Sequence, residues 1–177
     1  ALSSAASDVY KRQVLIGLVE TDEEVNYIVD NSRKYFEDTS ALSIFKMTDF
    51  EYIKEFFKSI IKKDANTPYF LCKFTDSKTN EIVGFVLFSI GSPWYNPKLT
   101  AISEELTVSL KKGYGIARNV AAYMVYFVKE GKADIASGAS AQTNCAPEVA
   151  NSYAKLGYDR YPTYYLVSDT IKTFDKE

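Results

Sequence analysis

The chain has 177 residues, of which 46% are hydrophobic and 25% charged, enough to bury the core of one globular domain and too few for two ordinary ones. A formal net charge of -2 gives no basic excess, so neither nucleic acid nor an anionic membrane is expected as a partner. With no histidine in the chain, Ser-His-Asp and Cys-His nucleophiles, His-ligated zinc and imidazole bases are excluded, and a base must be a carboxylate, a tyrosine, a lysine or water.

Cys72 and Cys145 lie far apart and form no CxxC motif, so neither a metal site nor a thiol redox centre is expected, and reduced cytoplasmic thiols are the default. The longest apolar run, 120–128, falls well short of the roughly 20 residues that cross a bilayer, and the start of the chain lacks a secretory pattern, which again predicts a cytoplasmic protein. Residues 3–13 look like a translated transposase adapter of the kind used to build sequencing libraries. The natural sequence is then expected to begin near Val14, with 14–177 forming a single domain.

In chain order, the apolar run 14–18 predicts a short first strand. Thr21-Asp-Glu-Glu24 has the spacing of a capping box and is followed by Val25, Ile28 and Val29, which predicts a helix to about Lys34. The same signature at Thr48-Asp-Phe-Glu51, with Ile53, Phe56, Phe57, Ile60 and Ile61 on one stripe, predicts a second, amphipathic helix. Strands over 69–74 and 82–90 flank the turn residues 76–80 and form a predicted hairpin. A third strand is expected over 100–108, an almost wholly apolar helix over 119–130 and a short strand over 133–137. A helix over 144–156 ends at Gly157, and a last strand follows over 164–167. The order describes an α/β domain with a mixed, mostly antiparallel sheet and helices packed on both faces.

The strongest chemical signal is Leu106-Thr-Val-Ser-Leu-Lys-Lys-Gly-Tyr-Gly-Ile-Ala117, a strand passing through a glycine loop into the apolar helix. Such a turn aims backbone N–H groups and the positive helix end at one spot suited to phosphate, with Lys111, Lys112 and Arg118 adding charge. An ordinary solvated turn has the same composition, and the segment is neither a P-loop nor the full dinucleotide-binding pattern.

Lys112-Gly-Tyr-Gly-Ile-Ala117 resembles the acetyl-CoA signature of the GNAT superfamily, the general N-acetyltransferases, with Lys in the place of Gln or Arg. Tyr153-Ala-Lys-Leu-Gly-Tyr158 resembles that family's second signature near the end of the domain. The resemblance runs from about Ile82 to Val167 and implies a GNAT-like fold that transfers an acetyl group from acetyl-CoA, as co-substrate, to a primary amine by direct attack.

It further implies that the amides of Gly113, Tyr114, Gly115, Ile116 and Ala117 bind the CoA pyrophosphate. Leu106 and Val108 would then flank the pantetheine, and Tyr153 would protonate or hydrogen-bond the leaving sulfur. Asn144 either matches a family asparagine or caps its helix, and Tyr153 is otherwise a core tyrosine. For the base, strand alternation groups Ile102, Glu104, Leu106 and Val108 on one face and Ser103, Glu105 and Thr107 on the other. Glu104 among apolar neighbours would have its pKa raised toward that of a general base; if it is instead exposed or salt-bridged, Glu105 takes the role.

Trp94 and Tyr95, in the proline-bounded loop 92–98, either line the acceptor site or decorate a surface loop. The acceptor is a small-molecule or protein amine, and both a monomer and a homodimer fit. The compact chain resembles small GNAT proteins of bacteria and their phages. The competing readings are a GNAT-like domain that binds CoA or a protein without catalysis, and a small α/β binding protein unrelated to CoA.

Overall fold

The computed structural model describes residues 13–38, 48–62, 67–138 and 146–159. The elements are β1 (Val14–Leu18), α1 (Asp22–Asp38), α2 (Phe50–Ile61), β2 (Tyr69–Asp76), β3 (Ile82–Gly91), β4 (Ala101–Ser109), α3 (Ile116–Lys129), β5 (Ile135–Ser137) and α4 (Ala146–Ala154). The five strands form one sheet in the order β1-β2-β3-β4-β5. The first three pairings are antiparallel and β4 pairs with β5 in parallel, so the sheet is mixed and mostly antiparallel, as the order of elements predicts. The predicted strand over 164–167 and residues 1–12 lie outside the described residues.

Local chemistry explains the boundaries. Thr21 caps α1 by accepting the Glu24 amide at 3.2 Å, and the Glu24 carboxylate reaches back to the Glu20 amide at 3.0 Å. At α2 the cap is Asp49, one residue after the threonine of the motif, with its carboxylate accepting from the Tyr52 amide at 3.0 Å. The four-residue apolar rhythm then turns Phe57 and Ile60 inward. Gly157, at φ +89°, follows α4 in the left-handed conformation that closes a helix without steric cost.

Helices cover both faces of the sheet, and the apolar side chains divide accordingly. On one face, α1 and α2 pack Val25, Ile28, Val29, Phe57 and Ile60 against Leu71, Phe85, Leu87 and Val108. On the other, α3 and α4 pack Ile116, Val120, Ala121, Met124 and Tyr153 against Phe74, Val86, Phe88 and Ile102. Among the described residues, no helix is long and apolar enough to cross a membrane.

One feature of β4 departs from simple alternation. Leu87 faces Leu106 across the β3–β4 ladder, but the next residue, Phe88, faces Glu104, so Glu105 is an extra residue, a β-bulge. Beyond a bulge the two faces exchange. Ile102 lies in the α3/α4 core, whereas Leu106 and Val108 lie against the α1/α2 core. The grouping of Ile102, Glu104, Leu106 and Val108 on one face is therefore corrected: Leu106 and Val108 are apolar on whichever face they fall, so the sequence pattern carries no mark of the inserted residue.

Candidate active site

The site forms where β4 and β5 part. Their parallel ladder holds only Ala101 to Ile135, Ile102 to Ala136 and Ser103 to Ser137, and the Ser103 and Ser137 hydroxyls close the last pair at 2.7 Å. From Glu104 to Ser109 the strand continues with no neighbour on that edge among the described residues. Among the described residues, the main-chain groups of 105–109 on this edge have no strand partner, and a backbone amide or carbonyl away from water needs one.

Glu104 is the first β4 residue beyond the last pair, and Gly138 directly follows β5. The Tyr153 ring, from α4, links the two. Its hydroxyl donates a hydrogen bond to Oε2 of Glu104, and its edge lies so close to Gly138 that a β-carbon there would be 2.1 Å from Cε1. Tyr158 packs edge-on against Tyr153 with centroids 4.9 Å apart and donates to the Ala121 carbonyl at 2.9 Å, anchoring the end of α4 to α3. Glu104 and Tyr153 are 8% and 7% exposed, so water screens their interaction little. Burial, then the Glu104 charge and the hydrogen bond to it, hold the Tyr153 phenol far above its ordinary pKa. Burial and the same charge push Tyr158 up to about 12.

Along the open edge, the bulge returns Thr107 to the face that carries Glu104. Its hydroxyl oxygen is buried and has no hydrogen-bond partner among the described residues, a cost that a polar ligand would remove. Neither Gly138 nor Thr107 stood out in the sequence, because their roles arise from contacts across the fold. Glu105 itself is exposed and accepts a 2.5 Å hydrogen bond from the Ser89 hydroxyl.

The glycine loop lies beyond the far end of the open edge. Gly113 and Gly115 have φ +89° and +62°, a conformation glycine adopts freely, and Gly115 is the residue from which α3 starts at Ile116. The loop is tied down on three sides. Tyr114 Oη donates to Asp76 Oδ2 at 2.7 Å, while Asp76 Oδ1 takes the amides of Lys78 and Thr79 in the β2–β3 turn. The Asn119 side-chain amide donates to the carbonyls of Tyr114 and Gly115, both at 3.1 Å. The amides of Leu110 and Lys111 both bond the Val83 carbonyl. Side-chain ties thus hold carbonyls on the loop's inner side, and the first amides of α3 remain without an intrahelical acceptor, as at any helix start.

Of the predicted cations, Lys111 is engaged with Glu81 at 2.6 Å, and this hydrogen bond raises its pKa. Lys112 and Arg118 are exposed and have no ion-pair partner among the described residues. Gly84, beneath the loop, allows a close crossing: a β-carbon there would meet the Val108 carbonyl at 2.9 Å and Ile116 Cγ1 at 3.0 Å. Gly84→Ala should therefore push the start of α3 away from the sheet, cost about 1–3 kcal/mol and lower the melting temperature in a thermal scan. An unchanged melting temperature would mean that the loop yields freely.

Trp94 is 95% exposed and stands edge-on to Tyr95, 5.8 Å between centroids, in the β3–β4 loop at the end of the sheet away from the glycine loop. Asn144 and Cys145 lie outside the described residues. Cys72 is buried, which pushes its thiol up to about 12 and leaves it inert as a nucleophile.

No protein-family model matches the sequence, and no curated protein matches it. Solved structures do match. A transcriptional regulator from Bacillus halodurans C-125 superposes with a TM-score of 0.65 at 16% identity, over 88% of this chain and 99% of that one. A predicted acetyltransferase from Clostridium acetobutylicum, solved with acetyl-CoA, gives 0.56 at 14% identity over 88% and 96% of the two chains. A GNAT family acetyltransferase from Staphylococcus aureus gives 0.55 at 17% identity over 88% and 98%. With nearly the full length of each superposed, and with the split β4–β5 pair leading into a glycine loop and α3, this chain has the fold of the GNAT acetyltransferases.

Proposed function

We propose that the protein is a cytosolic enzyme that transfers the acetyl group of acetyl-CoA to a primary amine, with residues 14–177 acting as one domain. The observation that carries this reading is the buried Glu104–Tyr153 couple at the point where β4 and β5 part.

Acetyl-CoA fits the groups around that point. The pantetheine arm would lie along the open edge of β4, taking main-chain hydrogen bonds near Leu106 and Val108, with the Thr107 hydroxyl as a further partner. The pyrophosphate would meet the amides of Gly113, Tyr114, Gly115, Ile116 and Ala117 at the start of α3. Lys112 and Arg118 are the cations free to approach it, Lys111 being neutralised by Glu81. A neutral amine attacks the thioester carbonyl, the C–N bond forms, and the C–S bond breaks to release CoA. Glu104 takes the amine proton and Tyr153 serves the sulfur, and no covalent enzyme intermediate is required. Trp94 and Tyr95 then stand at the end of the sheet from which an acceptor approaches. The acceptor is a small-molecule or protein amine, and both a monomer and a homodimer fit.

A second reading, a GNAT-fold domain that binds CoA or a protein partner without transfer, draws on the similarity to the Bacillus halodurans transcriptional regulator. Calorimetric titration of acetyl-CoA, followed by assay of free thiol with spermidine and with a peptide bearing a free N-terminus, separates the two. Gly115→Asp is the control. Aspartate tolerates the left-handed conformation and suits a helix N-cap, so the fold should persist while its carboxylate repels the pyrophosphate. Micromolar binding weakened at least tenfold by Gly115→Asp, with thiol release, is the expected result. Binding without release favours the second reading, and no binding by the folded protein overturns the transferase reading and leaves a protein-binding domain in front.

A further inference from the structure

A phenol has one proton, and that proton serves one strong hydrogen bond at a time. In this protein it is committed to Oε2 of Glu104. The ring has little freedom to leave, with the Gly138 backbone against one edge and Tyr158 packed on it. We propose that Glu104 and Tyr153 form a single proton switch in place of an independent base and acid. In it, the charge on Glu104 decides whether the Tyr153 proton is held by the carboxylate or offered to the sulfur of the departing CoA. The inference rests on the N-acetyltransferase reading and adds to it the route and the order of proton movement.

While Glu104 is ionised, its charge-assisted hydrogen bond outcompetes the neutral thioester sulfur, a weak acceptor. Attack by the neutral amine forms the C–N bond and leaves an ammonium nitrogen and an oxyanion on the adduct. Glu104 then takes one ammonium proton and becomes a neutral carboxylic acid. Its own O–H now donates to the phenol oxygen, which releases the phenol proton to turn toward sulfur. As the C–S bond breaks, the thiolate takes the Tyr153 proton and the Tyr153 oxygen takes the proton from Glu104. Both side chains end as they began, and the net products are the amide and the CoA thiol.

The couple also removes a difficulty that two separate groups would face. A buried phenol held far above its ordinary pKa by its surroundings is a poor acid toward a thiolate near 8.5. In the switch Tyr153 passes a proton on as it receives one, and never exists as a phenolate. The order is enforced too, since sulfur is not protonated until the amine proton has been taken.

The test uses the full chain with acetyl-CoA and, as acceptors, spermidine and a peptide with a free N-terminus. Glu104→Gln and Tyr153→Phe should each lower kcat by about 10²–10⁴-fold, and the double variant should be no slower than the slower single one. Losses that multiply would overturn the switch. Rates of the unsubstituted protein in mixtures of light and heavy water should curve with deuterium fraction, reporting two protons in flight; a straight line overturns the switch and needs no variant to fold. In the protein without acetyl-CoA, proton NMR should find a low-field tyrosine hydroxyl resonance, separate from that of Tyr114 on Asp76, that disappears in both single variants, and its absence from the unsubstituted protein has the same force. Failure to bind acetyl-CoA, or binding without thiol release, overturns the N-acetyltransferase reading and the switch together. Turnover with multiplying losses or a linear solvent dependence overturns the switch alone.

Discussion

Gly138→Ala should lower kcat by at least about 100-fold while leaving acetyl-CoA binding nearly intact. The added β-carbon would sit 2.1 Å from Tyr153 Cε1 and 2.8 Å from both Cδ1 and Cζ, and so cannot be accommodated by a small shift. The tyrosine ring is not a loose end that swings aside, since Tyr158 packs against it and Glu104 holds its hydroxyl. The ring must therefore move by the better part of an ångström or more, and a misplacement of that size in a catalytic group is worth about 10²-fold in rate. The glycine loop is built from Asp76, Asn119 and Val83 contacts that do not involve this ring, so affinity for acetyl-CoA should hold. Overpacking should also cost about 1–3 kcal/mol of stability. Steady-state kinetics beside calorimetry checks this, and an alanine variant with unchanged turnover would mean that Tyr153 takes no part in the reaction.

The second large effect concerns stability. Phe88→Ala should destabilise the protein by about 3–5 kcal/mol, the range for removing a buried phenyl ring. Phe88 is fully buried, stacks on Phe70 at 5.1 Å and lies 5.7 Å from Tyr123. It therefore joins β2, β3 and α3 in one contact, and neighbours drawn from three separate elements cannot all collapse into the space it leaves. For a chain of this size the loss corresponds to a fall of roughly 6–20 °C in Tm. Because Phe88 is the cross-strand partner of Glu104, the cavity would also lie under the Glu104–Tyr153 couple, and turnover should fall in the surviving folded protein if that couple acts as proposed. A loss below about 1 kcal/mol would show that the core refills the space.

How much of this was legible beforehand depends on how local each signal is. The stripe of α2, the turn between β2 and β3 and Gly157 at the end of α4 are set by neighbours a few residues away, and the structure has them where the pattern predicts. Boundaries shifted where tertiary contacts decide. The helix predicted from Asn119 starts at Ile116, because the Asn119 side chain turns back to bind the carbonyls of the glycine loop. The strand predicted over 133–137 shortens to Ile135–Ser137.

Glu104 and Tyr153 were singled out separately, one from its apolar neighbours and the other from a resemblance. Nothing in the sequence says that residues 49 positions apart are joined by a hydrogen bond. Gly138 and the bulge at Glu105 were invisible for a similar reason. A glycine that makes room for a distant ring looks like any other glycine, and an inserted residue between apolar positions leaves the alternation intact on paper.

The brief pairing of β5 also bears on how the molecule assembles. β2, β3 and β4 are consecutive antiparallel neighbours whose connections are short, so their contacts close small loops at small entropic cost. β5 reaches the sheet only after the whole of α3 has crossed it, and gains three residue pairs on arrival. Among the described residues, topology thus divides the fold into an early-forming, strongly protected meander and a late, weakly protected β5 side. The hydrogen-bonded couple spans the seam between them, with Glu104 on one side and Tyr153 on the other. A ligand that fills the seam adds its binding free energy to the less stable side, so, among the described elements, acetyl-CoA would slow amide hydrogen exchange most in β5 and α4.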